Sequence, residues 1–135
     1  MFNGKQFLPK LLVWQKSVDL IKEVYAEADR LPKSEEYNLK QQLKRAVVSV
    51  SLNIAEGKNR RTAKDFINFL NIASGSLAET EAILLICEEL GFLHPPEKLF
   101  LQLEELAKMI NSLIASKKRN QEFRRLDVYT DLKFG

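Results

Sequence analysis

The sequence predicts an all-α protein, an antiparallel up-down-up-down four-helix bundle. Three observations support this fold class. Apolar residues recur at three- and four-residue steps in four separate segments, which is the period of a helix with one buried face. The 135 residues include five Gly and four Pro, so turn signals are few. The links between the segments are short and polar, which favours neighbouring helices that run antiparallel.

The first predicted helix spans residues 13–30 and follows an irregular lead-in at residues 1–12. Pro32 ends it, because proline lacks a backbone N–H and restricts the residue before it. The second predicted helix spans residues 38–57, and Gly57 is expected to cap its C-terminus. These two segments form the first antiparallel pair.

The third predicted helix spans residues 63–90 and is the longest of the four. Thr62 and Asp65, three positions apart, resemble an N-terminal capping pair in which Asp replaces the usual Glu. Gly75 interrupts the helix with a propensity roughly 1 kcal/mol below that of Ala. Because small residues surround Gly75, we expect a smooth patch that another helix can approach closely.

The fourth predicted helix spans residues 96–116, so that one bundle domain extends over residues 13–118. Residues 119–135 form a C-terminal tail in which aromatic and charged residues are interspersed. The tail is too polar for a further core helix and too aromatic for a disordered segment. It is expected to dock on a neighbour or to fold on a partner.

Composition indicates a cytoplasmic protein without a membrane partner. Apolar residues make up 45% and charged residues 29% of the chain, as in ordinary soluble proteins. The longest apolar run, Ala82 to Cys87, is far shorter than the ~20 residues that cross a bilayer, and the N-terminus lacks a signal peptide's apolar segment. The single cysteine lies in an apolar helical stripe, which favours a packed, unreactive thiol.

Charge is unevenly distributed, which favours an anionic partner for the basic part of the chain. From Phe66 to Ser116 seven acidic residues accompany two Lys, a local charge of −5 in a chain of net charge +3, so the remainder carries +8. For any single cluster the alternative is an ordinary solvated helix face. The candidate nucleic-acid-binding residues are Lys40, Lys44, Arg45, Lys58, Arg60, Arg61, Lys64, Lys117, Lys118 and Arg119.

Residue types needed for catalysis are scarce. Di-iron four-helix bundles use two Glu-x-x-His motifs, whereas His94, in a Pro-flanked turn, is the single histidine. The sequence contains no P-loop, no cysteine cluster and no Gly-rich dinucleotide fingerprint. A lone carboxylate such as Glu56 activates a nearby Ser hydroxyl poorly. We therefore expect no enzyme activity, no catalytic residue, no metal site and no cofactor.

Polar residues lie beside the core stripe of the second helix. An unpaired buried polar group costs roughly 1–3 kcal/mol, so such side chains need partners. They form either a hydrogen-bonded layer inside the bundle or a functional site. The glutamates have two further alternatives, a solvated edge or an ion pair with Arg45 or Lys44. We favour the layer, with Ser49, Asn53, Glu56, Ser76 and Glu79 as its members.

Apolar residues outside the core stripes indicate a second apolar surface. They are Ile67, Ile72, Ile86, Leu101 and Met109. A monomeric bundle of this size does not need such a surface, so we expect self-association. The alternative is that these residues widen the core stripe.

Several separated motifs in the chain occur in a fixed order. They are Val13-Trp14-Gln15-Lys16, Leu31-Pro32-Lys33, Leu39-x-x-Gln42-Leu43-x-Arg45-Ala46, Ser49 with Asn53-Ile54-Ala55-Glu56-Gly57, and Phe66-x-x-Phe69-x-x-x-Ala73-x-Gly75-Ser76-x-x-Glu79. Together they resemble the bacterial four-helix-bundle proteins encoded in intervening sequences of 23S ribosomal RNA genes. The resemblance covers about Leu12 to Ser116, and Asn53 to Gly57 is its most distinctive motif.

The resemblance implies a four-helix bundle that assembles into a homopentameric ring and acts with RNA. A related branch resembles the accessory variability determinant of diversity-generating retroelements, a pentameric basic bundle that works with a reverse transcriptase and its template RNA. The family has no accepted catalytic residues. The chain departs from the usual pattern at Val50-Ser51-Leu52, where a Pro often precedes the Asn, and in the tail after Arg119.

The leading hypothesis is a non-enzymatic homo-oligomer that binds structured RNA, or an RNA–protein assembly, through its basic surface. The alternative is a protein-interaction subunit, such as a reverse-transcriptase accessory factor. A purely structural oligomer without a nucleic-acid function is the third hypothesis.

Overall fold

Four α-helices make up most of the computed structural model, which describes residues 8–134 and the side chains of residues 8–126. The all-α class and the four helices expected from the periodicity are confirmed. The expected lead-in before residue 8 lies outside the described residues. The helices are α1 (Leu12–Ala28), α2 (Leu39–Lys58), α3 (Ala63–Glu89) and α4 (Glu97–Phe134), with short 3-10 turns at Leu8–Lys10 and Lys33–Glu35.

The four helices pack side by side around a common core. α1 contacts α2 and α4, and α3 contacts the same two helices, so the chain order is also the order around the bundle. This neighbour order is consistent with the expected up-down topology. Each helix contributes at least one fully buried leucine to the core, for example Leu20, Leu43, Leu70 and Leu106.

α3 is the most apolar of the four helices. By length and composition alone it is able to span a membrane, and about a third of its most apolar stretch is buried inside the protein. The core helix of a soluble protein meets the same criterion, and α3 packs against α2 and α4. Much of its apolar surface nevertheless lies outside the core.

Gly57 allows α2 and α3 to approach closely, and it is not the cap of α2. The helix continues to Lys58, with Asn59 as its C-terminal cap. A Cβ atom at Gly57 would lie 2.8 Å from Cδ1 of Phe66 and 2.8 Å from Cβ of Phe69, closer than real Cβ atoms come to other atoms. The glycine is therefore needed for packing. A positive φ, 75°, is found at Gly91, just past the end of α3.

α4 is longer than the sequence analysis predicted. It continues without interruption to Phe134, so the expected end near Ser116 and the separate tail at 119–135 are wrong over the described residues. No Gly or Pro occurs between Glu97 and Phe134 that would stop the helix. Among the side chains described up to residue 126, Ile114 is the last buried apolar one, so residues 115–126 of α4 project beyond the core.

Cys87 is fully buried in α3. Burial raises the pKa of its thiol above the ordinary value, and the negative charge of Glu35 adds to the effect. A thiol that stays protonated is a poor nucleophile, so the geometry agrees with a packed, unreactive side chain.

Replacing Gly57 with Ala is expected to lower the free energy of unfolding by about 1–2 kcal/mol, because the added methyl group overlaps Phe66 and Phe69. Gly75→Ala is the matched control. Over the described residues, no atom beyond the adjoining residues and the backbone of α3 itself lies within 4 Å of the Cβ position at Gly75, so the better helix propensity of Ala should raise stability by roughly 1 kcal/mol. Urea unfolding followed by circular dichroism measures both, and stabilisation by both substitutions would contradict the close approach.

Candidate nucleic-acid interface

A cavity of about 450 Å³ lies at the end of the bundle where the α2–α3 link meets the second half of α4. We call it the basic cavity. Six of its lining residues are cationic, and none of those that the structure describes is acidic. The lining residues are Lys58, Arg60, Arg61, Thr62, Ala63, Lys64, Phe66, Lys117, Asn120, Gln121 and Arg124. A concave surface with this charge attracts anions such as phosphate groups.

The short α2–α3 link, residues 59–62, forms one wall of the basic cavity. Its last residue, Thr62, is the N-terminal cap of α3, because Thr62 Oγ1 accepts a hydrogen bond of 3.1 Å from the backbone N–H of Asp65. Within the described residues, the backbone N–H groups of Ala63 and Lys64 have no protein acceptor. Both residues line the cavity and add the partial positive charge of a helix N-terminus.

The cations of the basic cavity differ in their partners. Arg60 Nη2 donates a hydrogen bond of 2.6 Å to Glu56 Oε1, and the Arg60 guanidinium lies 4.8 Å from the centroid of the Phe69 ring. Lys117 Nζ lies 5.6 Å from the centroid of the Phe66 ring. Among the described side chains, those of Lys58, Arg61, Lys64 and Lys117 form no ion pair. Their charge is therefore not neutralised locally.

The basic residues predicted from the sequence do not form one continuous surface. The structure brings Lys58, Arg60, Arg61, Lys64 and Lys117 together around the basic cavity. Lys40, Lys44 and Arg45 lie near the start of α2, roughly 20 to 27 Å from Lys58 at 1.5 Å per helical residue. Lys118 and Arg119 are exposed on α4 and do not line the cavity.

Two of the lysines near the start of α2 are neutralised by nearby carboxylates. Lys40 Nζ lies 2.9 Å from Glu36 Oε2, and Lys44 Nζ lies 2.8 Å from Asp29 Oδ1 and 4.7 Å from the centroid of the Tyr25 ring. The hydrogen bond from Lys44 lowers the pKa of the Asp29 carboxyl, and the hydrogen bond to Glu36 raises the pKa of Lys40. These lysines stabilise local structure and add little free positive charge.

Three α4 residues of the basic cavity were not predicted from the sequence, namely Asn120, Gln121 and Arg124. They lie on the part of α4 that the sequence analysis assigned to the tail. The spacing of Lys117, Gln121 and Arg124 at four and three residues places them on one helix face, and this spacing was the available signal. It depends on the helix continuing past Ser116.

A short chain of hydrogen bonds joins α2 to α3. Ser49 Oγ lies 2.8 Å from Ser76 Oγ, and Asn53 Nδ2 donates to the backbone oxygen of Ser49 at 2.8 Å and to Ser49 Oγ at 3.0 Å. These three residues are close together, as the expected polar layer requires. A second pair, Ser17 Oγ and Ser51 Oγ at 2.6 Å, joins α1 to α2 and is fully buried.

The two glutamates expected in the polar layer lie outside it. Glu56 is exposed because it lies near the end of α2, where its carboxylate pairs with Arg60. Glu79 is exposed on α3, one turn from Ser76, and its carboxylate takes no part in the hydrogen bonds that join Ser49, Asn53 and Ser76. Over the described part of the chain, no three His, Cys, Asp or Glu side chains group closely enough to hold a metal ion.

Comparisons with known proteins give one family and a solved structure. The model of the family described as 23S rRNA-intervening sequence protein matches residues 9–112. A crystal structure of a protein of unknown function from the S23 ribosomal protein family of Bacteroides thetaiotaomicron VPI-5482 is 26% identical, with a TM-score of 0.70. The similarity covers 76% of this chain and 98% of that one. None of the curated protein sequences matches this chain.

The Asn53→Ala variant is expected to have a free energy of unfolding about 1 kcal/mol below that of the Asn71→Ala variant. The reason is that Asn53→Ala removes the hydrogen bonds to Ser49. Asn71 is exposed in the middle of α3, so its substitution controls for the helix propensity gained with Ala. Thermal unfolding of both variants measures the difference. Equal stability of the two would show that the bonds to Ser49 do not contribute to the fold.

Proposed function

The chain belongs to the 23S rRNA-intervening sequence protein family, and on that premise we propose that it is a non-enzymatic, homo-oligomeric bundle of the cytoplasm that binds structured RNA or an RNA–protein assembly. The observation that carries the proposal is the basic cavity, where six cationic side chains from α2, α3, α4 and the α2–α3 link surround one concavity. The family description, which names an RNA intervening sequence, agrees with an RNA partner.

Electrostatics explains how such a site would bind RNA. Each Lys or Arg that neutralises a phosphate releases a condensed counterion, and this release supplies most of the sequence-independent affinity. Lys58, Arg61, Lys64 and Lys117 are available for this role, since no carboxylate among the described side chains pairs with them. Arg60, already bonded to Glu56, contributes less.

Two grooves of opposite charge support self-association. One lies on the α1–α2 side and combines Arg45 with the exposed Leu52. The other lies on the α3–α4 side and combines the exposed Leu101 with three carboxylates, those of Glu81, Glu97 and Glu104. These sides are opposite in the bundle, so the basic groove of one subunit can contact the acidic groove of the next. When each contact also rotates the next subunit by a fixed angle that closes, the subunits form a ring. We propose a ring on this basis and take its number of five subunits from the family resemblance, with RNA bound by the ends of the subunits.

The expected second apolar surface agrees in part with this arrangement. Ile72, Ile86 and Leu101 are about half exposed, whereas Ile67 is buried in the core and Met109 is half-buried against it. Three of the five residues thus remain available to a neighbouring subunit. The other two pack in or against the core, which agrees with the alternative that these residues widen the core stripe.

A second candidate function is a protein-interaction subunit, such as a reverse-transcriptase accessory factor. Phe123 and Leu126 favour it, because they are about two-thirds exposed on the projecting part of α4. Exposed apolar side chains on a projecting helix are typical of a docking element. A reverse-transcriptase gene with template and variable repeats beside the coding gene would support this function, and a location inside a ribosomal RNA gene would support the first.

RNA binding is expected to be salt-sensitive and to depend on the basic cavity. The purified, nuclease-treated protein should retain structured RNA at about 50 mM salt. In Arg61→Ala/Lys64→Ala the plot of log association constant against log salt concentration should be less steep, its slope smaller in magnitude by about 2. Lys22→Ala/Lys33→Ala removes the same charge from exposed positions away from the cavity and serves as the control. No retention by the unmodified protein, or equal slopes for the two variants, would overturn the proposal.

Light scattering is expected to give a mass of about five times the 15.6 kDa of the single chain. Arg45→Glu should shift the mass toward that of the monomer, because a carboxylate at this position would face the glutamates of the neighbouring subunit. Lys33→Glu, at an exposed position outside both grooves, is the control and should leave the mass unchanged. A monomeric mass for the unmodified protein would remove the ring.

A further inference from the structure

We propose that the basic cavity binds a terminal phosphate group of RNA, the end of a strand and not a stretch of its internal backbone. The inference rests on the proposed RNA binding and names the part of the RNA that the site recognises. It follows from the charge, the shape and the polar lining of the cavity.

The positive charge of the basic cavity suits a terminal phosphate. An internal phosphodiester carries one negative charge, whereas a terminal phosphate monoester carries about −1.5 to −2 at neutral pH, with three strong acceptor oxygens. Lys58, Arg61, Lys64 and Lys117 meet around a single cavity and form no ion pair among the described side chains. Such a concentration of charge matches a terminal monophosphate or oligophosphate better than one internal phosphate.

The concave shape of the basic cavity also suits the end of a strand. Contacts to a duplex backbone are distributed along the nucleic acid, and about one cation serves each neutralised phosphate. Here the cations come from different elements and converge on a concavity of about 450 Å³, a volume within the range of small-ligand sites. The projecting part of α4 supplies one side and the α2–α3 link another. The end of an RNA strand can enter such a concavity while the rest of the RNA stays outside it.

Uncharged polar side chains of the basic cavity suit the nucleoside next to a terminal phosphate. Asn120 and Gln121 line the cavity together with the cations, and their side-chain amides offer both donors and acceptors. A phosphate bound by the lysines and arginines would leave the attached ribose or base within reach of amide groups on α4. The cavity thus combines groups for a phosphate with groups for the nucleoside that carries it.

One RNA hairpin with a single-stranded 5′ end, prepared with a 5′-hydroxyl, a 5′-monophosphate or a 5′-triphosphate, tests the inference by fluorescence anisotropy with a 3′ dye. The monophosphate form should bind at least fivefold more tightly than the hydroxyl form, and the triphosphate form at least as tightly as the monophosphate form. Lys117→Ala should reduce this preference to below twofold. Lys118→Ala is the matched control, because Lys118 is the next residue and does not line the cavity, and it should keep the preference.

The outcomes separate the inference from the function on which it rests. Equal affinity for the three forms would overturn end recognition while leaving RNA binding in place. Binding of none of them would overturn the proposed function and the inference together. A free nucleotide with the same phosphates, AMP or ATP, distinguishes the source of the phosphate. If it displaces the phosphorylated hairpin at equal concentration, the site is one for small nucleotides and the RNA end is not its ligand.

Discussion

The close approach of the last turn of α2 to the first turns of α3 is the constraint on which the basic cavity depends. Gly57 has no side chain, so Phe66 and Phe69 pack directly against the backbone of α2. The chain can then reverse within residues 59–62, and the cations of the link remain beside α4. A larger residue at this position would separate the two helices at the point where the wall of the cavity forms.

Hydrogen bonds and ion pairs divide the length of α2 into parts with different roles. In the middle, Ser49 and Asn53 bond toward Ser76 of α3, and Ser51 bonds to Ser17 of α1, so polar groups in or near the core are satisfied between helices. Such bonds restrict how the helices slide relative to one another. Near the start of α2, lysines are paired with carboxylates, whereas near its end they are not. The net charge of the chain is therefore modest, although the end of the bundle that contains the basic cavity is strongly positive.

Much of the fold could be predicted from the sequence, because the period of apolar residues and the Thr62 cap are local signals. The role of Gly57 could not, because a glycine near a helix end serves equally well as a cap or as a point of close approach, and only the neighbouring helix decides. The continuation of α4 was missed because the composition after Lys117 is polar, although nothing there stops a helix. The exposure of Glu56 was predictable in part, since Arg60 lies one helical turn away. The hydrogen bond between Ser49 and Ser76 depends on the register between helices, which no local signal contains.

Photochemical cross-linking of the protein to a structured RNA, mapped by mass spectrometry, tests the central claim most directly because it needs no substitution. We expect cross-linked residues in the segments that line the basic cavity, 58–66 and 117–124. Cross-links confined to the start of α2, around Lys40 to Arg45, would contradict it, because the RNA would then bind at the opposite end of that helix.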